Sequence, residues 1–503
     1  MQDDGCADSV LMWPHRFVWV GFRERAALWS AVAGLLGADR HEHFEVIMNG
    51  IHNAPGVSHS LYGRSDRWFL LTLVALNYFT IYLHRNLLNY VQIPLQEGLD
   101  LTETQIGWLR PAWLIPYCLA QLGVGYLSDR FRRRTVVLSS LIASSCCLAA
   151  MGLSRGFEDM VLGRVVLGLG QSCAVPAMAS IIADCFTARN RSRAFGIYLF
   201  SYNCALVVAG KYGGRLADTA VWHVPVGTSV IDVEGWRMAH FVFGVAGLVV
   251  WLSLLFLLSE PDRTGHSAEA QAEPNAMGVW RSALCVLAVP SFRLFALTFA
   301  LAGMVVSMIQ FWLPRHFYRV FHTTYGWNLE DAGFFATLWI QSGTIIGLFV
   351  GGWLADWCSA RTYRGRVFVQ LVGWLVVAPA ILVVGSSQTV PLLAVAMLAV
   401  GAGVGLYQSN TWTATFEVVD PATRATAVGF LNLGSGILVH SWFDPVIGWL
   451  NETVLVNRSS NSLGFLLTSM AVPAAIAAAL LARAMLVTLP RDFRDGNQPP
   501  VVE

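Results

Sequence analysis

Residues 125–134 read Gly125-Tyr-Leu-Ser-Asp129-Arg130-Phe-Arg132-Arg133-Arg134, and residues 352–356 read Gly352-Trp-Leu-Ala-Asp356, followed by Arg361, Arg364 and Arg366. Each stretch closes an apolar block of helical length and turns at once into base. Glycine permits close helix contact, while the carboxylate and arginines sit at a membrane edge, where they can pair or cap neighbouring helix ends. The two copies occupy corresponding places in the two halves of the chain, so the chain reads as an internal repeat.

Composition agrees with a membrane protein. Of the 503 residues 13% are charged and 55% hydrophobic, and the mean hydropathy is +0.53. A soluble domain carries about a quarter charged residues. The apolar residues fall in blocks of roughly 20, the length that crosses ~30 Å of hydrocarbon as a helix. A closed barrel needs short alternating strands, and nothing here alternates. The expected fold is an all-α membrane protein with about twelve transmembrane helices in two pseudo-symmetric six-helix halves. Eight of the nine cysteines lie in or beside apolar blocks without CxxC spacing, which reads as small core residues and not as metal or disulfide sites.

From Trp68 the blocks run approximately 68–94, 104–128, 134–153, 159–185, 191–214, 239–258, 291–318, 331–358, 366–386, 391–417, 424–449 and 463–489. This divides the chain into a head (1–66), a first half (67–258), a linker (259–290), a second half (291–489) and a tail (490–503). In the head, Phe17–Gly37 is interrupted by Arg23, Glu24 and Arg25, so it makes a poor spanning helix and a poor signal peptide. The head reads as disordered, as surface-bound, or as the product of an upstream start; the last is preferred, because Met48 would give a short lead.

Orientation follows from the arginines, because basic residues resist translocation. One set of loops holds Arg130 and Arg132–Arg134, then Arg189, Arg191 and Arg193, then Arg361, Arg364 and Arg366; the alternate loops Gln96–Glu103 and Gly385–Val390 hold no base. The rich set is expected to face the cytoplasm with both termini, in a bacterial inner membrane.

A second repeated pair supports the first. Gly168-Leu-Gly170-Gln171 leads to Asp184, Arg191 and Ala194-Phe-Gly196; Gly403-Val-Gly405 leads to Glu417, Arg424 and Ala427-Val-Gly429. Together these residues resemble the major facilitator superfamily. Its loop motif, roughly G-x-L-a-D-R-x-G-R-R, matches Gly125 to Arg134 except that Arg132 replaces the second glycine, and its fourth-helix pattern R-x-x-x-G-x-G is met by Arg164, Gly168 and Gly170. The resemblance extends from Trp68 to about Leu489 and implies alternating access around a central site. It implies a gating role for Gly125, Asp129, Arg130, Arg133, Arg134, Gly352, Asp356, Arg164, Arg191 and Arg424. The first helix, Asn77-Tyr-Phe-Thr-Ile-Tyr-Leu-His84-Arg85-Asn86, resembles the N-Y-x-D-R-x-x-L segment of the anion:cation symporters (sugar-acid carriers) and the D-R pair of the Spinster family. Tyr82–Asn86 and Asn203-Cys204-Ala205 are similar to segments of organophosphate:phosphate antiporters. Two departures bear on mechanism: the acid of D-R is His84 here, and the fourth-helix glutamate of proton-coupled sugar-acid symporters aligns with Gln171.

An ionisable group at mid-bilayer costs at least ~2.5 kcal/mol, so one facing the bundle interior is a functional candidate. At roughly 1.5 Å per residue, His84, Arg85, Lys211, Gln310 and His440 fall roughly 23–27 Å from the arginine-rich edge. Lys211 is the single lysine of the chain. Ordinary roles compete at each position: Lys211 snorkelling to headgroups, Arg85 tied to backbone carbonyls or to Asp444, and the histidines bonded within the core. Asp444 reads as lying further out, which leaves the layer short of carboxylates. Two cations without counter-charges call for an anionic ligand, and Arg85 could grip a carboxylate or phosphate bidentately. The expected binding set is Arg85, His84, Lys211, Tyr82, Asn89, Tyr117, Gln171, Asn203, Gln310, Gln341, Gln408 and His440.

The expected activity is secondary transport of a small organic anion such as a sugar acid, either coupled to protons through His84 or run as an exchange. Alternatives are an amphiphile such as a lysophospholipid, an organophosphate, or a transporter-like sensor. No G-x-x-x-x-G-K loop, HExxH or nucleophile elbow is present, so neither an ATP-driven pump nor an enzyme is expected, and nothing calls for a cofactor or a metal. The expected partners are the anion, protons and the lipid bilayer, with the chain a monomer; the arginine clusters follow from topology and not from nucleic acid.

Overall fold

The computed structural model describes residues 64–130, 132–186, 188–226, 229–258, 279–455 and 461–492, while the side chains of residues 122–130 and a few other positions lie outside the described set. The head before residue 64 and most of the linker lie outside it too. Twelve crossings follow in chain order. α1 is Arg64–Asn86 continuing as Leu88–Gly98, α2 Glu103–Arg130, α3 Arg133–Met151, and α4 Phe157–Gln171 continuing as Ala174–Cys185. α5 is Ala188–Val208 with a π turn at Ala209–Gly213 and an end at Gly214–Asp218, and α6 is Gly235–Leu257. α7 is Pro290–Ser307, Met308–Trp312 and Leu313–Tyr325; α8 is Leu329–Ser359, α9 Gly365–Ser386, and α10 Val390–Gln408 continuing as Thr411–Val418. α11 is Arg424–Ser435, Gly436–His440, Ser441–Trp449 and Leu450–Leu455; α12 runs from Ser462–Ser469 to Leu489–Asp492.

The helices form because their residues are apolar all round, which suits lipid outside and a packed bundle inside. Among the described residues, nine helices are long and apolar enough to span a membrane on those grounds alone. α1, α2 and α11 carry the polar residues of the interior instead. Large exposed side chains such as Phe349, Trp353, Val249 and Phe465 form the lipid-facing surface. Sharp ends are capped: Asn328 and Asp331 make a reciprocal capping box at the start of α8. π turns, which often mark functional places, interrupt α5, α7, α11 and α12, while α1, α4 and α10 break at Leu87, Ser172 and Ser409.

One feature escapes the helical periodicity. Between α5 and α6 the chain forms a two-stranded antiparallel hairpin, β1 (Val221–Val226) and β2 (Ser229–Glu234), with Val221 opposite Glu234. The run Val221-Trp-His-Val-Pro-Val does not alternate in polarity, and six residues are too few to register against blocks of twenty.

The two halves meet on the face opposite the arginine-rich loops, through α5 against α8 and α2 against α11. Glycine makes both contacts possible. A Cβ on Gly210 would stand 2.5 Å from the Gly333 carbonyl oxygen, and one on Gly107 2.6 Å from that of Asp444. Polar ties cross the same region. Glu103 on α2 takes Arg315 at 3.2 Å and Arg319 at 2.5 Å from α7, and accepts from Asn451 on α11. Gln96 on α1 accepts from Arg315, and Thr104 donates from its amide and its hydroxyl to Glu452 at 3.1 and 2.9 Å. This far-face seal closes one end of the bundle.

Candidate functional site

Beneath the seal lies a cavity of about 580 Å³, within the range of small-molecule sites. Its lining comes from both halves: Tyr78, Tyr82, Arg85, Asn86 and Asn89 on α1, Arg110 and Trp113 on α2, Arg164 on α4, and Tyr202 and Asn203 on α5. Facing them are Phe299, Gly303, Val306 and Gln310 on α7, Tyr407, Gln408 and Trp412 on α10, and His440 on α11. Gln408 and Trp412, on the arginine-rich side, are exposed, so the cavity is open toward that face and closed toward the other.

Arg85 stands at the end of the first segment of α1, two residues before the helix is interrupted at Leu87. Three rings box its guanidinium: Trp113 at 4.0 Å, Tyr82 at 4.3 Å and Tyr117 at 4.8 Å from the ring centroids. Such cation–π contacts contribute about 0.5–2 kcal/mol each depending on desolvation, but a ring face does not take the guanidinium's hydrogen bonds. Arg85 Nε and Nη2 are buried without a protein acceptor. The rings are held in turn: Trp113 Nε1 donates to Gln171 at 3.3 Å, and Tyr82 packs edge-on against Tyr78 and Tyr202. Gln310 Nε2 donates to the Tyr202 hydroxyl at 2.9 Å, which ties α7 to α5. Arg164 is buried and braces the wall from behind, donating to the Leu109 carbonyl at 2.9 Å and the Arg85 carbonyl at 3.3 Å.

Of the residues expected from sequence, the structure brings Arg85, Tyr82, Asn89, Asn203, Gln310, Gln408 and His440 to the cavity, and Arg164 with them. Others fall elsewhere. His84 turns away from the cavity: it is fully buried, and its Nε2 meets the Phe243 carbonyl on α6 at 3.1 Å in the space left by Gly247. The reason is the helical step of about 100° between neighbours, which sends His84 outward when Arg85 points in. Lys211 sits in the π turn of α5, 5.1 Å from the Phe334 ring centroid and outside the cavity lining. Tyr117 and Gln171 lie behind the lining as supports for Arg85 and Trp113. Gln341 lines a small cleft next to the cavity, shared with Gln310 and Gln408.

Two sequence expectations are refined. Asp444, expected further out, does stand one turn beyond His440, but it is fully buried and lies 3.6 Å from Arg110 on α2. Arg110 lines the cavity and is absent from the expected set, although it lies within the apolar block 104–128; a base near the start of that block gives no sign in the sequence of the acid it faces across the bundle. The other correction concerns Gly352, whose Cβ position meets nothing within 4 Å; the close helix contact falls to Gly351, against Ser409 and Leu406 on α10.

On the arginine-rich face, Arg366 bridges two carboxylates, Asp356 at 3.4 Å and Glu417 at 2.7 Å, so the second copy of the repeat ties the ends of α8, α9 and α10 together. Arg424 donates to the Phe416 carbonyl at 3.2 Å, Arg191 to that of Phe186 at 3.3 Å and Arg134 to that of Leu255 at 2.6 Å. Arg133 is buried at the start of α3. The side chains of Gly125, Asp129 and Arg130 lie outside the described set.

Residues 74–443 match the Major Facilitator Superfamily. The chain is 24% identical over 398 residues to the sphingosine-1-phosphate transporter SPNS2 of Xenopus tropicalis, covering 76% of this chain and 73% of that one. It is 22% identical over 388 residues to the probable L-galactonate transporter of Escherichia coli K12, covering 74% and 80%. It is 24% identical over 449 residues to the probable sulfoacetate transporter SauU of Cupriavidus necator, covering 86% and 97%. Among solved structures, the inward-facing, unoccupied form of a bacterial homologue of the human lysosomal transporter Spinster superposes with a TM-score of 0.72 at 20% identity, over 88% of this chain and all of that one. A D-xylose–proton symporter superposes with a TM-score of 0.63 at 15% identity, over 84% and 98%. The match over most of the chain, with the twelve-helix bundle and its repeated loop motifs, places the chain in the Major Facilitator Superfamily, a family of membrane transporters and not of enzymes.

Proposed function

We propose that this chain is a secondary transporter of a small organic anion, with Arg85 as the primary anion-holding group. One observation carries the reading: a guanidinium facing the cavity is packed on three aromatic rings and meets no carboxylate among the described residues, with two of its nitrogens unpartnered. A buried cation in that state is costly, and a carboxylate or similar ligand supplies both the charge and the acceptors. Asn89, Asn203, Gln310 and Gln408 offer amides for hydroxyl or carbonyl groups of the cargo. Relatives named as carriers of galactonate, hexuronate, sulfoacetate and 4-hydroxybenzoate support the anionic class.

In this reading the arginine-rich face is cytoplasmic in a bacterial inner membrane, and the state described is inward-open. Residues 67–258 and 291–489 act as the two rocking halves of a monomer, with the Asp356–Arg366–Glu417 cluster and its first-half counterpart as the cytoplasmic latch. A second reading rests on the apolar wall of Leu199, Phe299, Leu348 and Trp412: the cargo is an amphiphile whose anionic end sits at Arg85. Uptake of labelled D-galacturonate, 4-hydroxybenzoate and lysophosphatidate into proteoliposomes separates the two. Arg85→Ala is expected to abolish uptake of the transported member while the purified protein keeps its melting profile. Undiminished uptake would remove Arg85 from the site.

A further inference from the structure

His84, the proton carrier that the sequence suggests, faces away from the cavity, and the neutral Gln171 stands where the resemblance puts a glutamate. Within the membrane layer the structure holds a different acid. Asp444 on α11 is fully buried, accepts from Ser307 Oγ at 2.7 Å and from Trp312 Nε1 at 3.1 Å, and faces Arg110 Nε at 3.6 Å. Other carboxylates described here are poorer candidates. Glu103 belongs to the far-face seal with two arginines of its own, and Asp356 and Glu417 belong to the arginine-rich rim.

We propose that Asp444 is the proton-coupling site of this transporter, and that Arg110 links its protonation to the anion. The inference rests on the anion-carrier reading. Arg110 is shared between two places: it lines the cavity, and among the described residues its acidic partner is Asp444. Four charge states follow, counted over Arg85, Arg110, Asp444 and the cargo. With Asp444 ionised and the cavity empty, one positive charge is left over, and with both a proton on Asp444 and an anion in the cavity the excess is the same. A proton alone doubles that excess in a low-dielectric place, and an anion alone sets a second carboxylate near ionised Asp444 across Arg110. The anion relieves the first state and the proton the second, so each strengthens the binding of the other. The reaction is a plain protonation: the proton enters from solvent onto a carboxylate oxygen, and Arg110 remains a guanidinium.

The pair also ties the halves. Arg110 stands on α2 and Asp444 on α11, directly below the point where Gly107 admits the Asp444 backbone. Arg110 also donates to the Ser307 carbonyl of α7 at 3.2 Å. Protonating Asp444 therefore removes an ionic tie at the base of the far-face seal. The groups facing Asp444 are Arg110 from α2 and Ser307 and Trp312 from α7, and His440 stands one turn earlier on α11.

The test uses the full chain in two measurements. Infrared difference spectra of the ligand-free protein in liposomes are recorded during acidification. A carboxylic C=O component is expected in the wild-type and His440→Gln spectra that is missing from the Asp444→Asn spectrum, the bands of the other acids cancelling in the subtraction; the asparagine keeps an acceptor for Trp312 and can turn its amide N–H to the Ser307 hydroxyl. In proteoliposomes, Asp444→Asn is expected to exchange D-galacturonate across the membrane but to lose accumulation driven by a proton gradient by at least tenfold, and Asp444→Glu to restore it in part. Wild-type and Asp444→Asn spectra that coincide throughout the carboxylic region, or gradient-driven accumulation that persists in Asp444→Asn, overturn the proposal. If wild type moves no D-galacturonate, that failure belongs to the anion-carrier reading for this probe, and the infrared titration still decides the proton site. If Asp444→Asn fails to fold, Arg110→Met decides instead, because loss of the partner must shift the band to a higher titration point.

Discussion

Trp113 donates its indole N–H to Gln171 at 3.3 Å, so a neutral amide on α4 fixes the ring on which the Arg85 guanidinium rests at 4.0 Å. The amide works in both directions, because Gln171 Nε2 donates to the Ile81 carbonyl at 3.4 Å on α1. A carboxylate in its place could accept from Trp113 but could not donate to Ile81. The side chain that stands where related symporters carry an acid is thus a structural tie between α1, α2 and α4. Its effect on the cargo runs through Arg85.

Gln171→Leu tests that role. Each lost hydrogen bond is worth about 0.5–1.5 kcal/mol, and the ring it orients contributes a cation–π contact of similar size. The expected result is a rise in KM for the transported anion of about three- to thirtyfold, at 1.4 kcal/mol per factor of ten, with maximal rate changed less than about twofold. Initial-rate uptake in proteoliposomes measures both. A proton-carrying role would instead flatten the pH profile, which Gln171→Leu is expected to leave intact.

The far-face seal makes a prediction about population. Glu103 is the counter-charge for Arg315, whose side chain is 3% exposed, and for Arg319, which is 41% exposed. Removing one partner of a buried pair costs about 3–5 kcal/mol where the other is left uncompensated, and here the protein can avoid that by opening the seal to water. Glu103→Gln is therefore expected to shift the equilibrium toward the state open on the far face. A cysteine placed at Asn89 in a cysteine-free background should be alkylated from that side at least tenfold faster in Glu103→Gln than without it.

Lys211 makes the contrasting case. A lone lysine in an arginine-biased chain invites a functional reading, but its ammonium lies over the Phe334 and Tyr212 rings in the α5 π turn, clear of the cavity. Lys211→Gln is expected to leave KM within about twofold, the scale of substitutions that touch no buried network. Uptake assayed beside Arg85→Ala, which should lose activity altogether, gives the comparison.

The sequence by itself determined the bundle, its crossings and its repeat. Apolar blocks of membrane length admit one backbone solution apart from a barrel, and the matched Gly–Asp–Arg loops named the superfamily from local pattern alone. Arg85 was legible as well, because a base deep in an apolar block has few uses. What the sequence could not order was which residues share a wall. His84 and Arg85 are neighbours in the chain, yet one bonds to α6 and the other meets the cavity. Arg110 and Asp444 are separated by most of the chain, yet they stand 3.6 Å apart. Helix rotation and cross-half packing are set by many weak contacts over each whole helix, and only the folded bundle sums them. Composition therefore located the charges by depth. The tertiary structure decided that Asp444, judged too far out, is the acid that faces an arginine of the site.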